Sequence, residues 1–260
     1  MHTATVAAVG DNTIDLYRDG RVFVGGNALN VAVQLRRLGV STTYFGAIGR
    51  DDDGSRIAAV LRERGVSISG LVVVDGPTAV TEISITTGGD RVFDREDFGV
   101  TATYDPSRAD VAQMAAHDWV HIGMVPRASD LVGQLRALNP RVLISQDCAV
   151  SSGFARLDVA FCSTGEDPAA ARRAAAVALT EGAALVVVTQ GAAGATAWTR
   201  DQRWHCNAVP TEVVDTTGAG DSFIAAFIAA RAAGAEVADA LRAGARLAAE
   251  TCTHQGGFAQ

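Results

Sequence analysis

Apolar residues along this chain follow three rhythms. The first is a short unbroken run. Residues 5–9 (Thr-Val-Ala-Ala-Val) form one and end at Gly10 and Asp11. Residues 42–48, 120–122, 142–144, 159–161 and 185–188 repeat the pattern. Apolar runs without alternation predict strands covered on both faces, as in a parallel sheet. The second rhythm has a period near 3.6. Leu29, Val31, Ala32, Leu35 and Leu38 mark one face of a helix over 26–38 that closes at Gly39. Helices are also predicted over 54–64, closing at Gly65, and over 168–181, 221–233 and 236–251. Strand and helix alternate, so the chain predicts an α/β fold with a mostly parallel sheet and helices on both faces.

The third rhythm is strict alternation. Residues 81–86 and 91–94 alternate polar with apolar around Gly88-Gly89-Asp90, which reads as a hairpin turn. This half-exposed antiparallel ribbon is a candidate lid or dimer interface. Two lone strands bury too little to stand alone, so it must rest on a cleft, a second subunit or both. Ile83, Ile85, Val92 and Phe93 are the apolar residues available for that contact. Arg91 and Asp94 are then free to face a substrate.

Composition narrows the function. At 260 residues, with 48% hydrophobic and 20% charged residues, one globular domain spanning 1–260 is expected. A net charge of −7 argues against nucleic acid or an anionic membrane as partner. All 22 basic residues are arginine, which excludes a P-loop lysine and a Schiff-base lysine. Cys148, Cys162, Cys206 and Cys252 are far apart in sequence and suggest neither zinc nor a disulfide framework. Residues 1–10 lack the basic start of a signal peptide, and the longest apolar stretch, 223–230, is too short to span a bilayer. A cytoplasmic protein is expected.

The strongest chemical signal is Asp215-Thr-Thr-Gly-Ala-Gly-Asp221, after a strand-like Glu212-Val-Val214 and at the start of an apolar helix. Gly218, Ala219 and Gly220 let the backbone approach a ligand, and amides at a helix start attract phosphate oxygens. Asp221 sets a carboxylate beside that trap, as a kinase needs to take a proton from an acceptor hydroxyl. The plain alternative is a helix start with an acid in its first turn. A second segment, Gly25-Gly-Asn-Ala-Leu-Asn-Val-Ala32, offers close backbone approach and amide hydrogen bonds to a polyol.

Together, in this order and spacing, the two segments resemble both signatures of the ribokinase-like (PfkB) carbohydrate kinase family, over essentially the whole chain. The resemblance implies a three-layer fold with a small β-ribbon lid built from segments near 12–25 and 76–104. It implies Asp221 as base and the amides of Gly218, Ala219 and Gly220 as anion hole. It implies Asp11, Gly26, Asn27 and Asn30 as sugar-binding residues. Thr189-Gln-Gly191-Ala-Ala-Gly194 resembles the family's nucleotide loop, which gives Thr189, Gly191 and Gly194 to ATP. Asp215 and Thr217 resemble positions that hold a monovalent cation such as K+ in several relatives. Where the family has N-x-x-E, this chain has Ser163-Thr-Gly-Glu166, so Glu166 would meet Mg2+ through water while the asparagine role falls to a serine.

Gly10-Asp-Asn-Thr-Ile-Asp-Leu-Tyr17, Asp90-Arg-Val-Phe93 and His254-Gln-Gly-Gly resemble the family's fructoselysine 6-kinase branch. That points to a small-molecule substrate, a sugar or fructosamine, phosphorylated on a primary hydroxyl. Arg91, with Asp94, Glu96 and Asp97, could meet the charged ends of a fructosamine, although a solvated ribbon explains the three acids as well. Other sugar or nucleoside kinases of the family are the alternative. A dinucleotide-dependent oxidoreductase fails because no G-x-G-x-x-G follows the first strand. A non-catalytic sugar sensor would require loss of the base or anion hole. The family also implies a homodimer through the lid. His121, inside an apolar run, reads as a core histidine.

Overall fold

The computed structural model describes residues 4–86 and 91–260, so the turn assigned to Gly88, Gly89 and Asp90 lies outside the described residues. The chain runs through β1 (Thr5–Val9), β2 (Thr13–Tyr17), β3 (Val22–Gly25), α1 (Asn27–Arg37), β4 (Ser41–Gly49), α2 (Asp52–Glu63), β5 (Ser67–Val74), β6 (Val80–Ile85) and β7 (Arg91–Asp97). It continues with α3 (Arg108–Ala115), β8 (Trp119–Ile122), α4 (Ala128–Leu138), β9 (Leu143–Asp147), β10 (Val159–Ser163), α5 (Pro168–Glu181) and β11 (Leu185–Thr189). It ends with β12 (Ala195–Trp198), β13 (Arg203–Cys206), α6 (Ala219–Ala232) and α7 (Val237–Thr251).

Nine strands form one sheet in the order β13-β12-β11-β10-β9-β8-β1-β4-β5. Pairing is parallel from β11 to β5, and β12 and β13 add antiparallel at one edge. Both faces are covered, which is why these strands read as runs. On β1, Ala7 and Val9 join the core under α3, α4 and α5, whereas Val6 and Ala8 face the layer of α1, α2, α6 and α7. Helix α6 is buried from Ser222 to Ile228, on all sides, because it lies between α1, α7 and the sheet. It starts at Ala219, two residues before the pattern predicts. The preceding 212–214 segment is not a strand. It has no sheet partner, and Val214 N–H donates instead to the Cys252 carbonyl at 2.8 Å.

The ribbon is not a lone pair of strands. β2 and β3 complete it into a lid-like four-stranded sheet, ordered β3-β2-β6-β7, with β2 and β6 parallel. Ile14 and Val24 are buried on one face and Tyr17 and Ile83 on the other, while β7 is exposed along its length. Ile83, at 0% exposure, therefore cannot be an outer contact; Val92 and Phe93, at 44% and 46%, remain available.

Candidate active site

The carboxyl ends of the parallel strands carry the polar groups, as expected where α/β sheets bind ligands. β1 leads to Asp11, β9 ends at Asp147, and Ser163 of β10 lies in register with Thr189 of β11. The amino ends of α1 and α6 meet over this edge.

Asp221 is in the first turn of α6. Its Oδ1 accepts a hydrogen bond from Asn27 Nδ2 at 2.7 Å and its Oδ2 accepts one from Asn30 Nδ2 at 2.8 Å. The same Asn27 nitrogen donates to Asp147 Oδ2 at 2.7 Å. Residues 27, 30 and 34 lie on one stripe of α1, and Gln34 Nε2 extends the contact to Ser222 Oγ at 3.1 Å. The two asparagines of the glycine-rich segment thus grip the proposed base itself. Burial pushes the Asp221 carboxyl up to about 7; the Asn30 hydrogen bond opposes this and the Asp147 charge adds to it.

The two glycines of the 218–220 loop have different reasons to be glycine. Gly218 has φ 72°, and a Cβ there would lie 2.3 Å from Gly257 Cα. A Cβ on Gly220 would meet nothing within 4 Å, so that residue keeps the helix start approachable. Ala219 N–H turns back to the Thr216 carbonyl at 3.2 Å, and Ser222 N–H, bonded to the Gly218 carbonyl at 2.9 Å, begins the helical ladder. The amides of Gly220 and Asp221 precede that ladder and can receive an anion.

Asp11 and Asp15 differ sharply. Asp11 accepts N–H groups from Asn27 at 2.7 Å, Ala28 at 3.1 Å and Met124 at 3.4 Å, so its carboxylate caps α1 from the end of β1. It holds Gly26 and Asn27 in place at the start of α1. Asp15, missed in the sequence, is 3% exposed and lies flat on Gly25, where a Cβ would fall 2.2 Å from its Oδ2. Burial, then the charges of Asp11 and Asp215, push it up to about 8 against the pull of Arg91. Asp147 was missed as well, because Ser145 and Gln146 separate it from the apolar run 142–144. Burial likewise raises its carboxyl.

Arg91 reaches inward from β7. Its Nη1 donates to the Thr216 carbonyl at 2.9 Å, and its guanidinium lies 5.1 Å over the Phe93 ring. Asp94 faces away, held by Arg18 through two hydrogen bonds of 3.0 and 2.9 Å. Glu96 and Asp97 lie on the exposed strand, so a solvated face accounts for all three acids. At the nucleotide-loop positions, Thr189 Oγ1 donates to the Cys162 carbonyl at 3.3 Å, and the loop turns through Gly191 and Gly194 between antiparallel β11 and β12. Glu166 is exposed and packs beside Gly191, its Oε1 3.8 Å from where a Cβ would be. Asp215 and Thr217 are buried and hydrogen-bonded to each other and to Tyr17 of β2.

Two further sequence readings meet the structure. His121 is fully buried, accepts or donates at Ser145 Oγ (3.0 Å), and burial lowers its pKa to about 3, so it is a neutral core residue. Cys148 and Cys162, distant in sequence, are side-by-side free thiols close enough to share a hydrogen bond. No helix among the described residues is long and apolar enough to cross a membrane.

Comparison with known proteins gives one answer from sequence and one from shape. The chain is 34% identical over 260 residues to fructoselysine 6-kinase of Escherichia coli K12, covering 98% of this chain and 99% of that one. It is 33% identical to the fructosamine kinase FrlD of Bacillus subtilis, over 96% and 92% of the two chains. The ribokinase of Arabidopsis thaliana, complexed with ribose and ATP, superimposes with a TM-score of 0.87 at 21% identity, over 98% and 94% of the two chains. The ribokinase of Thermotoga maritima gives 0.84 at 22% identity, over 98% and 95%. The fold is therefore ribokinase-like. Since the pfkB family carbohydrate kinase model matches residues 3–130 and 156–259, through both glycine-rich segments, the chain belongs to that family of carbohydrate kinases.

Proposed function

We propose that this kinase transfers the γ-phosphoryl group of MgATP to a primary hydroxyl of a fructosamine, with fructoselysine to fructoselysine 6-phosphate as the reaction. The observation that carries the phosphotransfer is Asp221: a carboxylate near pKa 7, held by two asparagine amides at 2.7 and 2.8 Å, on the first turn of the helix with the approachable amides. Asp221 takes the proton of the attacking hydroxyl. The amides of Gly218, Ala219, Gly220 and Asp221 stabilise charge on the phosphoryl group in flight, those of Gly220 and Asp221 most directly. Thr189, Gly191 and Gly194 border the nucleotide. Glu166, exposed beside Gly191, fits a role in orienting water on Mg2+ that the phosphates hold.

The sugar is bound by Asn27, Asn30, Gly26 and Asp15, with Asp11 acting through the start of α1. A fructosamine carries a cationic amine that free sugars lack. Asp15 and Asp147, buried and raised, gain most from such a charge, and Arg91 suits the carboxylate of an amino-acid moiety. The segments near 12–25 and 76–104 act as one lid on a single 1–260 unit, closing to exclude water. Two lids meet in a homodimer through Val92 and Phe93. Free thiols at all four cysteines suit the cytoplasm.

The test is a phosphorylation screen of fructosamines, free sugars and nucleosides with MgATP. Fructoselysine should exceed fructose and ribose in kcat/KM; equal or better turnover of a free sugar or a nucleoside would move the assignment to that substrate. Light scattering of the wild type and of Val92→Asp/Phe93→Ser checks the dimer, which fails if the wild type is a monomer at micromolar concentration.

A further inference from the structure

Resemblance to the family places a monovalent cation at Asp215 and Thr217, and the structure gives these residues other partners. Asp215 is 0% exposed, and three donors converge on its carboxylate. Thr217 N–H donates to Oδ1 at 2.8 Å, while the Tyr17 hydroxyl at 2.6 Å and Gly256 N–H at 3.0 Å donate to Oδ2. A cation requires ligand oxygens whose lone pairs point toward it. Here three of the carboxylate's roughly four lone-pair sites already face protons. The phenol has one proton to give, so the Thr217 hydroxyl, 3.2 Å from the Tyr17 oxygen, is left to donate to it. Each polar group is satisfied without a metal, and these residues do not fit a monovalent cation.

The origin of that hydroxyl is informative. Tyr17 closes β2 and belongs to the small sheet, whereas Asp215 to Thr217 lead into α6. The ring is pinned: it is 5% exposed and packs edge-on to Phe23 at 5.3 Å and 78°. Phe23 in turn packs on Gly256, whose amide is another Asp215 donor. From β7, Arg91 grips the Thr216 carbonyl between the two. Two strands of the small sheet thus hold three consecutive residues at the threshold of the anion-binding amides.

We propose that the Tyr17 hydroxyl stands in for the monovalent cation at the entry to α6, and that Tyr17 is a positioning residue coupling the seating of the small sheet to the alignment of the 218–221 amides. The kinetic part of this inference rests on the phosphotransfer reading; the cation part does not. The test uses the full chain in potassium, sodium and tetramethylammonium chloride at equal ionic strength. Because a ligand of the native state raises the melting temperature, a wild type without a cation site should melt within about 1 °C in all three salts and turn over within about twofold. Tyr17→Phe removes the hydroxyl and frees one Asp215 lone pair. It should lose about tenfold in kcat with KM for ATP nearly unchanged. Potassium, and not tetramethylammonium, should raise its melting temperature and restore part of kcat.

A potassium response confined to Tyr17→Phe supports the proposal. A wild type stabilised or activated by potassium overturns it, as does a Tyr17→Phe enzyme with wild-type kcat and no cation response. Should Tyr17→Phe fail to fold, the wild-type salt series still decides the cation claim. Should no sugar or fructosamine be phosphorylated, the phosphotransfer reading falls while the melting comparison stands.

Discussion

The nine-stranded sheet is covered on both faces, and the residues that buttress its carboxyl edge are held by buried packing and by helix–helix hydrogen bonds such as Gln34 to Ser222. The four-stranded sheet is buried on both faces at β2, yet its outer strand β7 is exposed throughout. It meets the loop before α6 through polar atoms, at Tyr17 and Arg91. Ile14 and Val24 tie β2 and β3 into the core beside α1 and α2, whereas β7 has no buried residue and its hydrogen bonds can be exchanged for water. The body therefore suits chemistry that needs fixed geometry, and the outer edge of the small sheet suits recognition that has to open and close.

If this division is right, substitutions in the body act on kcat and those in the small sheet on sugar KM, except at Tyr17, whose hydroxyl reaches the loop before α6. The largest effect belongs to Asp221→Asn. The amide preserves size and cannot accept the hydroxyl proton, so kcat should fall by about 10²–10⁴-fold while calorimetry still detects ATP binding. A variant within about threefold of wild type would remove Asp221 from the role of base. Next comes Gly220→Val. Nothing lies within 4 Å of the new Cβ, so the fold and melting temperature should hold. The branched side chain blocks the amides, and kcat should fall by about 10²-fold with sugar affinity retained. Loss of sugar binding with kcat intact would reverse the layout.

The pH profile sharpens the contrast. Asp221 acts only when deprotonated, and its carboxyl is raised to about 7. Log kcat/KM should therefore fall by about one unit per pH unit below about pH 7 and flatten above it. A profile flat down to pH 5 would mean that the base has an ordinary carboxylate pKa. The smallest effect is expected for Asp15→Asn. Sugar KM should rise about tenfold, with kcat changed less. Stability moves the other way. A folded-state pKa of about 8 against 3.8 makes this carboxylate an increasing burden as pH rises from about 4 to 8. The asparagine should gain several kcal/mol of stability at pH 8, seen as a clearly higher melting temperature, and little at pH 4. A variant no more stable at pH 8 than at pH 4, relative to wild type, would refute the buried-charge account.

What was legible in the chain follows the same division. β1, β4, β8, β10 and β11 announce themselves because burial on both faces leaves few polar positions, and α1, α5, α6 and α7 carry plain periodicity or capping glycines. β5 is blurred by exposed Val72, Val73 and Val74, and α3 is only eight residues long and weakly amphipathic. β2 hides for a subtler reason. The face of β2 toward the loop before α6 carries Asp15 and Tyr17, polar side chains where a pattern search expects hydrocarbon. The glycine-rich loops could be found in the sequence since backbone approach demands small residues. That Asp11 caps α1 and that Asp15, four residues on, is buried against Gly25 could not, because both depend on the turn between β1 and β2. Asp147 depends on strand order in the same way.

The burial of α6 has a consequence for hydrogen exchange. The amides before its ladder have no helical acceptor, and those from Ser222 to Ile228 belong to a helix enclosed on every side. Fast and protected amide protons should therefore be found one turn apart on a single helix. A bound phosphate would slow only the first group, so the isotope pattern at residues 220 and 221 would report nucleotide occupancy while the next two turns provide an internal reference that scarcely moves.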